Sequence, residues 1–110
     1  MTVSDSDLAE IRDICPGATL FPEGGFTYIH LPGLKIPISE TETLIRDGLL
    51  LLQVHNGYPT RLFLSERIPG KGTNWTEHRI LERNWHTWSW NYVPPDRSAA
   101  VLSQHLRALR

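Results

Sequence analysis

The sequence predicts an α+β fold in which an N-terminal helix, a four-stranded antiparallel meander, a long tryptophan-rich flap and a C-terminal helix follow one another. Three observations carry that expectation. Helical apolar spacing with capping chemistry occurs near the two ends. Four short strand-like runs joined by turn residues lie between them. The four tryptophans then crowd into residues 75–90 with no period of two or 3.6. At 110 residues the chain reads as a single domain, 1–110, with one hydrophobic core and no internal repeat.

The first helix is expected over residues 4–15. Ser4 can cap it and Asp7 can complete a capping box, while Pro16-Gly17 ends it. Leu8, Ile11, Ile14 and Cys15 fall on one stripe, which makes Cys15 a small buried residue rather than a nucleophile. Strands follow at Ala18–Phe21 and Phe26–Leu31, flanking the turn Pro22-Glu23-Gly24-Gly25. Alternation puts Phe26, Tyr28 and His30 on one face of the second strand. The prolines of residues 32–37 argue against a central strand there. Leu49–Val54 is apolar on both faces, as a buried strand requires, and Asn56-Gly57 returns the chain to Arg61–Leu64. Residues 65–95 read as an irregular flap. A second helix, capped by Asp96 or Ser98, then presents Val101, Leu102, Leu106 and Leu109 as its apolar stripe.

Composition narrows the function classes. A net charge of -1 supplies no global field for nucleic acid or an anionic membrane. The single cysteine excludes an internal disulfide and a multi-cysteine zinc site. No run is long enough to span a bilayer and no leader-like segment opens the chain, so a cytoplasmic location is expected. His78 and His86, with Glu77 and Glu82 nearby, lack the close ligand pairs that zinc sites use. No metal or cofactor is therefore expected. Clustered Trp and Tyr can stack bases or sugars, anchor a protein, or fold back as a small core. Arg79 and Arg83 beside Glu77 and Glu82 make a mixed local charge, which disfavours nucleic acid.

Several short motifs occur in a fixed order. Glu23-Gly24-Gly25 precedes a strand and Leu31-Pro32 follows it, and an apolar strand leads to Gly57-Tyr58-Pro59. Glu77-His78 comes next, followed by Arg83-Asn84-Trp85-His86-Thr87-Trp88-Ser89 ahead of the final helix. Together with the order of elements, these motifs resemble the prokaryotic ubiquitin-conjugating-like family E, a bacterial branch of the ubiquitin-conjugating (UBC) fold. The resemblance covers the chain from about residue 18 to its end. Two departures stand out. Thr60-Arg61-Leu62 replaces further prolines, and the His-Pro-Asn motif is missing. The family's catalytic cysteine would fall near Arg83 to Trp85, about eight residues before the aromatic-x-Pro element Tyr92-Val93-Pro94, and no cysteine is there.

That empty position turns the expectation from catalysis to binding, because a thiolate is what carries the cargo as a thioester. The resemblance implies a ubiquitin-like protein, its activating enzyme and a deconjugating protease as partners, and a role in antiphage defence. Tyr58, Trp85, Trp88, Trp90 and Tyr92 are the candidate anchors, and the acidic first helix is a second candidate surface. The competing reading is a transferase using a hydroxyl such as Ser89, with His78 or His86 as base. A third is a nucleic-acid or sugar binder working through its tryptophans.

Overall fold

A computed structural model of the chain describes residues 4–53, 59–68, 70, 75–80, 82–88 and 97–108. It is an α+β fold: helix α1 (Asp5–Arg12), strands β1 (Thr19–Glu23), β2 (Phe26–Pro37), β3 (Thr43–Leu51), β4 (Arg61–Leu64), β5 (Thr76–Ile80) and β6 (Arg83–Thr87), and helix α2 (Ser98–Ala108). All strand pairs are antiparallel, in the order β1-β2-β3-β4-β6-β5.

Local chemistry explains the first elements. The Asp7 N–H donates to the Ser4 hydroxyl at 3.1 Å and the Ser4 N–H to the Asp7 carboxylate at 3.2 Å, a complete capping box. The helix ends at Arg12, earlier than expected, so Ile14 is exposed while Cys15 still turns inward. Gly24 and Gly25 both have positive φ, 59° and 84°, which suits a two-residue hairpin turn. The expected four-residue turn is therefore shorter, and Pro22 joins β1, an edge strand that tolerates a missing donor.

Two element assignments are corrected. The second strand does not stop at Leu31: residues 32–37 belong to β2, which is 12 residues long, although they form no central strand, as expected. β1 covers only Phe26 to His30 of it, so Leu31 to Pro37 pairs with β3 alone and forms a sheet edge. Prolines are admitted there, and the register shift between Leu31 and Leu34 places Pro32 and Gly33 (φ 65°) in a bulge. β3 correspondingly begins at Thr43. Second, the meander has grown to a six-stranded sheet, because part of the expected flap folds as the β5–β6 hairpin. Ile80 pairs with Arg83 across a two-residue loop, where Glu82 takes φ 60° without being glycine or asparagine. The turn therefore lacks the residues by which hairpins announce themselves. The Asn56-Gly57 turn, Val54, Asp96 and Leu109 lie outside the described residues.

Both helices pack on one face of the sheet. Ile11 of α1 and Val101 and Leu102 of α2 join Ile29, Leu31, Leu50, Leu62, Leu64 and Trp88 in one core. Each such aliphatic side chain contributes about 1.5–3 kcal/mol by leaving water. Ser98, expected as a cap, instead sits inside α2 and donates its hydroxyl to the Asp7 carbonyl at 2.7 Å. The capping is done by Glu10 of α1, whose carboxylate accepts the Ala99 N–H at 2.9 Å and pairs with Arg97 at 2.8 Å. Among the described residues, no helix is long and apolar enough to cross a membrane.

Candidate functional site

Cys15 is the only residue able to form a thioester, so its surroundings come first. It lies just after α1, 5% exposed, in the helix-side core. Its thiol donates to the Pro32 carbonyl at 3.3 Å. Burial pushes its pKa up, with Asp47 adding to the rise and a backbone hydrogen bond at Gly17 opposing it. A protonated, enclosed thiol is neither the nucleophile nor the leaving group that group transfer needs.

The β5–β6 hairpin decides the fate of the histidine pair. His78 stands opposite Trp85 and Glu77 opposite His86, so His78 and His86 project from opposite faces. His86 lies 3.8 Å from the Glu77 carboxylate. His78 contacts the Phe63 ring edge-on at 5.6 Å, and its Nε2 is 3.1 Å from the Thr76 hydroxyl. Burial, then Arg61, holds its pKa below the usual histidine value. The two imidazoles cannot serve one reacting atom together. Among the described residues, no group of three or more His, Cys, Asp or Glu side chains is placed to hold a metal ion.

Trp85 and Trp88 also part company. Trp85 is 2% exposed and donates its indole N–H to the Ile80 carbonyl at 3.0 Å, tying down its own hairpin. Trp88 is 4% exposed in the helix-side core, against Trp75 and edge-on to His105. Side chains buried this deeply present no face to a partner, so neither is an anchor in this conformation. Ser89, Tyr58, Trp90 and Tyr92 lie outside the described residues.

The face of the sheet turned away from the helices holds a second cluster: Tyr28, Leu49, Leu51, Phe63, Ile80 and Trp85. Contacts between non-adjacent strands show that the sheet is rolled around it. His30 on β2 meets Trp85 on β6 at 6.2 Å, Tyr28 on β2 meets Phe63 on β4, and Arg83 on β6 reaches Asp47 on β3 at 3.1 Å. Strands two or three places apart in a flat sheet would stand about 10–14 Å apart. At the mouth of the roll, the Arg83 guanidinium lies 4.8 Å from the Trp85 ring and His30 meets Phe21 edge-on. Asp47 also accepts the Gly33 N–H at 3.0 Å. That bond above all, with Arg83 and His30 adding to it, keeps its carboxyl below the usual range against the opposing effect of burial.

Chemically this is an aromatic core with a charged rim, not a nucleophile–base arrangement. Sequence reading found Tyr28 and His30 on one face by alternation and met Arg61 and Arg83 only as motif positions; it missed Asp47, which carries no motif and reaches Arg83 only through the roll. No protein-family model, curated protein or solved structure matches the chain.

Proposed function

We propose that this protein is a UBC-like binding module that acts without catalysis in a bacterial ubiquitin-like conjugation system. It holds either the ubiquitin-like protein or its activating enzyme. The observation that carries the reading is the enclosure of Cys15. The chain's one thiol is buried, hydrogen-bonded and held protonated, and none stands where the family resemblance would require one. The order of helix, sequential antiparallel meander and closing helix supports the same reading. The β5–β6 hairpin is a departure, because it draws part of the flap into the sheet.

The contact surface has to be sought away from Trp85 and Trp88. The outer side of α1 offers exposed Asp5, and the turn that follows it offers exposed Asp13 and Ile14, acidic and apolar groups of the kind that a partly basic partner surface fits. Glu10 is committed to α2 and takes no part. Tyr58, Trp90 and Tyr92 remain the aromatic candidates. The antiphage role rests on the resemblance alone. The test is binding to a family ubiquitin-like protein and to its activating enzyme, with Asp5→Lys and Asp13→Lys as probes. Saturable binding of one of them below about 100 µM is the expected result. Binding of neither at that concentration would overturn the proposal.

A further inference from the structure

The sheet has two outer strands and one half-covered strand, and they are protected unequally. β1 carries Pro22, and the uncovered half of β2 carries Pro32, Lys35, Pro37 and a bulge. Such features block a further strand from adding. β5 has neither proline nor bulge, and its exposed charges, Glu77 and Arg79, are of opposite sign. Among the described residues no strand lies on its outer side.

Its hydrogen-bonding register follows from the hairpin. The pair that closes a two-residue β-hairpin loop is a hydrogen-bonded pair, which here is Ile80 with Arg83. Pairs alternate along an antiparallel ladder, so the N–H and C=O groups of Glu77 and Arg79 point outward. Both side chains are exposed and lie on the same face. Arg79 makes no ion pair among the described residues.

We propose that β5 pairs antiparallel with β5 of a second copy of this chain, with the two-fold axis at His78, forming a symmetric dimer with a continuous sheet. The choice of partner rests on charge. Three two-fold registers bring outward-facing residues together. One sets Glu77 against Glu77 and another Arg79 against Arg79, and both are repulsive. The third sets Glu77 against Arg79 twice and pairs Thr76 with Ile80 on the opposite face. Only that register is attractive, and it makes the edge complementary to itself. Four main-chain hydrogen bonds and two flanking ion pairs form a small interface, so the dimer is weak and concentration-dependent. This inference is independent of the conjugation reading.

The test is sedimentation velocity of the full chain over a range reaching about 1 mM. The variants are Glu77→Arg, Arg79→Glu and the double exchange. Far-UV circular dichroism of each exposed-site variant checks that the fold is kept. The wild type is expected to show a reversible monomer–dimer equilibrium. Each single variant should weaken it by roughly tenfold or more, since both cross-strand pairs become repulsive. The double exchange should restore it, and mixing the two single variants should give a heterodimer. A wild type that stays monomeric throughout, or a dimer indifferent to these charges, would overturn the proposal.

Discussion

Glu10 and Ala99 are 89 residues apart in the chain, yet the Glu10 carboxylate accepts the Ala99 backbone N–H at 2.9 Å. One helix thus caps the other, and the two ends of the fold are held by a charge-assisted hydrogen bond to a helix N-terminus. Replacing Glu10 by Ala removes the cap and should cost about 1–2 kcal/mol, read from the urea midpoint. Arg97→Ala should cost much less, because that side chain is largely exposed. Equal losses for the two variants would contradict this account.

His105 makes stability depend on pH. It is 6% exposed, its Nε2 is 2.9 Å from the Thr60 hydroxyl, and burial, aided by Arg61, lowers its pKa from 6.5 to about 4. Between those values the unfolded chain binds a proton that the folded chain refuses. The contribution of neutral His105 is therefore complete above about pH 6.5, falls as pH drops, and is gone below about pH 4. The full effect is about 3 kcal/mol. His105→Gln should flatten the stability profile across that window, leaving the smaller slope due to His78, whose pKa is also lowered. An unchanged slope would place the titrating group elsewhere.

The Trp85 and Trp88 indoles should respond differently to loss of the N–H. Trp85 donates to the Ile80 carbonyl, whereas the buried Trp88 indole nitrogen has no hydrogen-bond partner among the described residues. Both Trp→Phe changes remove volume, but only Trp85→Phe also removes a hydrogen bond. It should therefore cost about 1–2 kcal/mol more than Trp88→Phe, measured by chemical denaturation. The opposite ranking would show that the Trp85 hydrogen bond does not hold the hairpin.

Cys15 should resist thiol reagents in the folded protein and react fully once the chain is unfolded, because the protonated, covered thiol reacts only through opening. The rate should fall when stability is raised by added sulfate. Reaction as fast as that of a free thiol would contradict the burial.

The elements that were legible in the sequence are those specified by neighbours in the chain. The Ser4–Asp7 capping box, the Gly24-Gly25 turn and the two-sided apolar run from Leu49 each act over a few residues. What escaped depends on distant parts. Pro32 and Pro37 are compatible with a strand only because β1 stops short and leaves that half of β2 as an edge. The β5–β6 hairpin was hidden by a turn at Glu82 that uses no glycine. His78 and His86 look like a pair along the chain, but the register across that hairpin sends them to opposite faces. The Asp47–Arg83 contact joins β3 to β6, and only the rolling of the sheet brings it about.

The central claim is that this chain binds and does not carry. Its most direct test is incubation of the protein with a family ubiquitin-like protein, the activating enzyme and ATP. Intact-mass spectrometry would then be run before and after reduction. The account expects the unmodified mass in both. A reductant-sensitive adduct on Cys15 would contradict it, and a reductant-resistant, hydroxylamine-sensitive adduct lost in Ser89→Ala would replace it with the hydroxyl-based transferase.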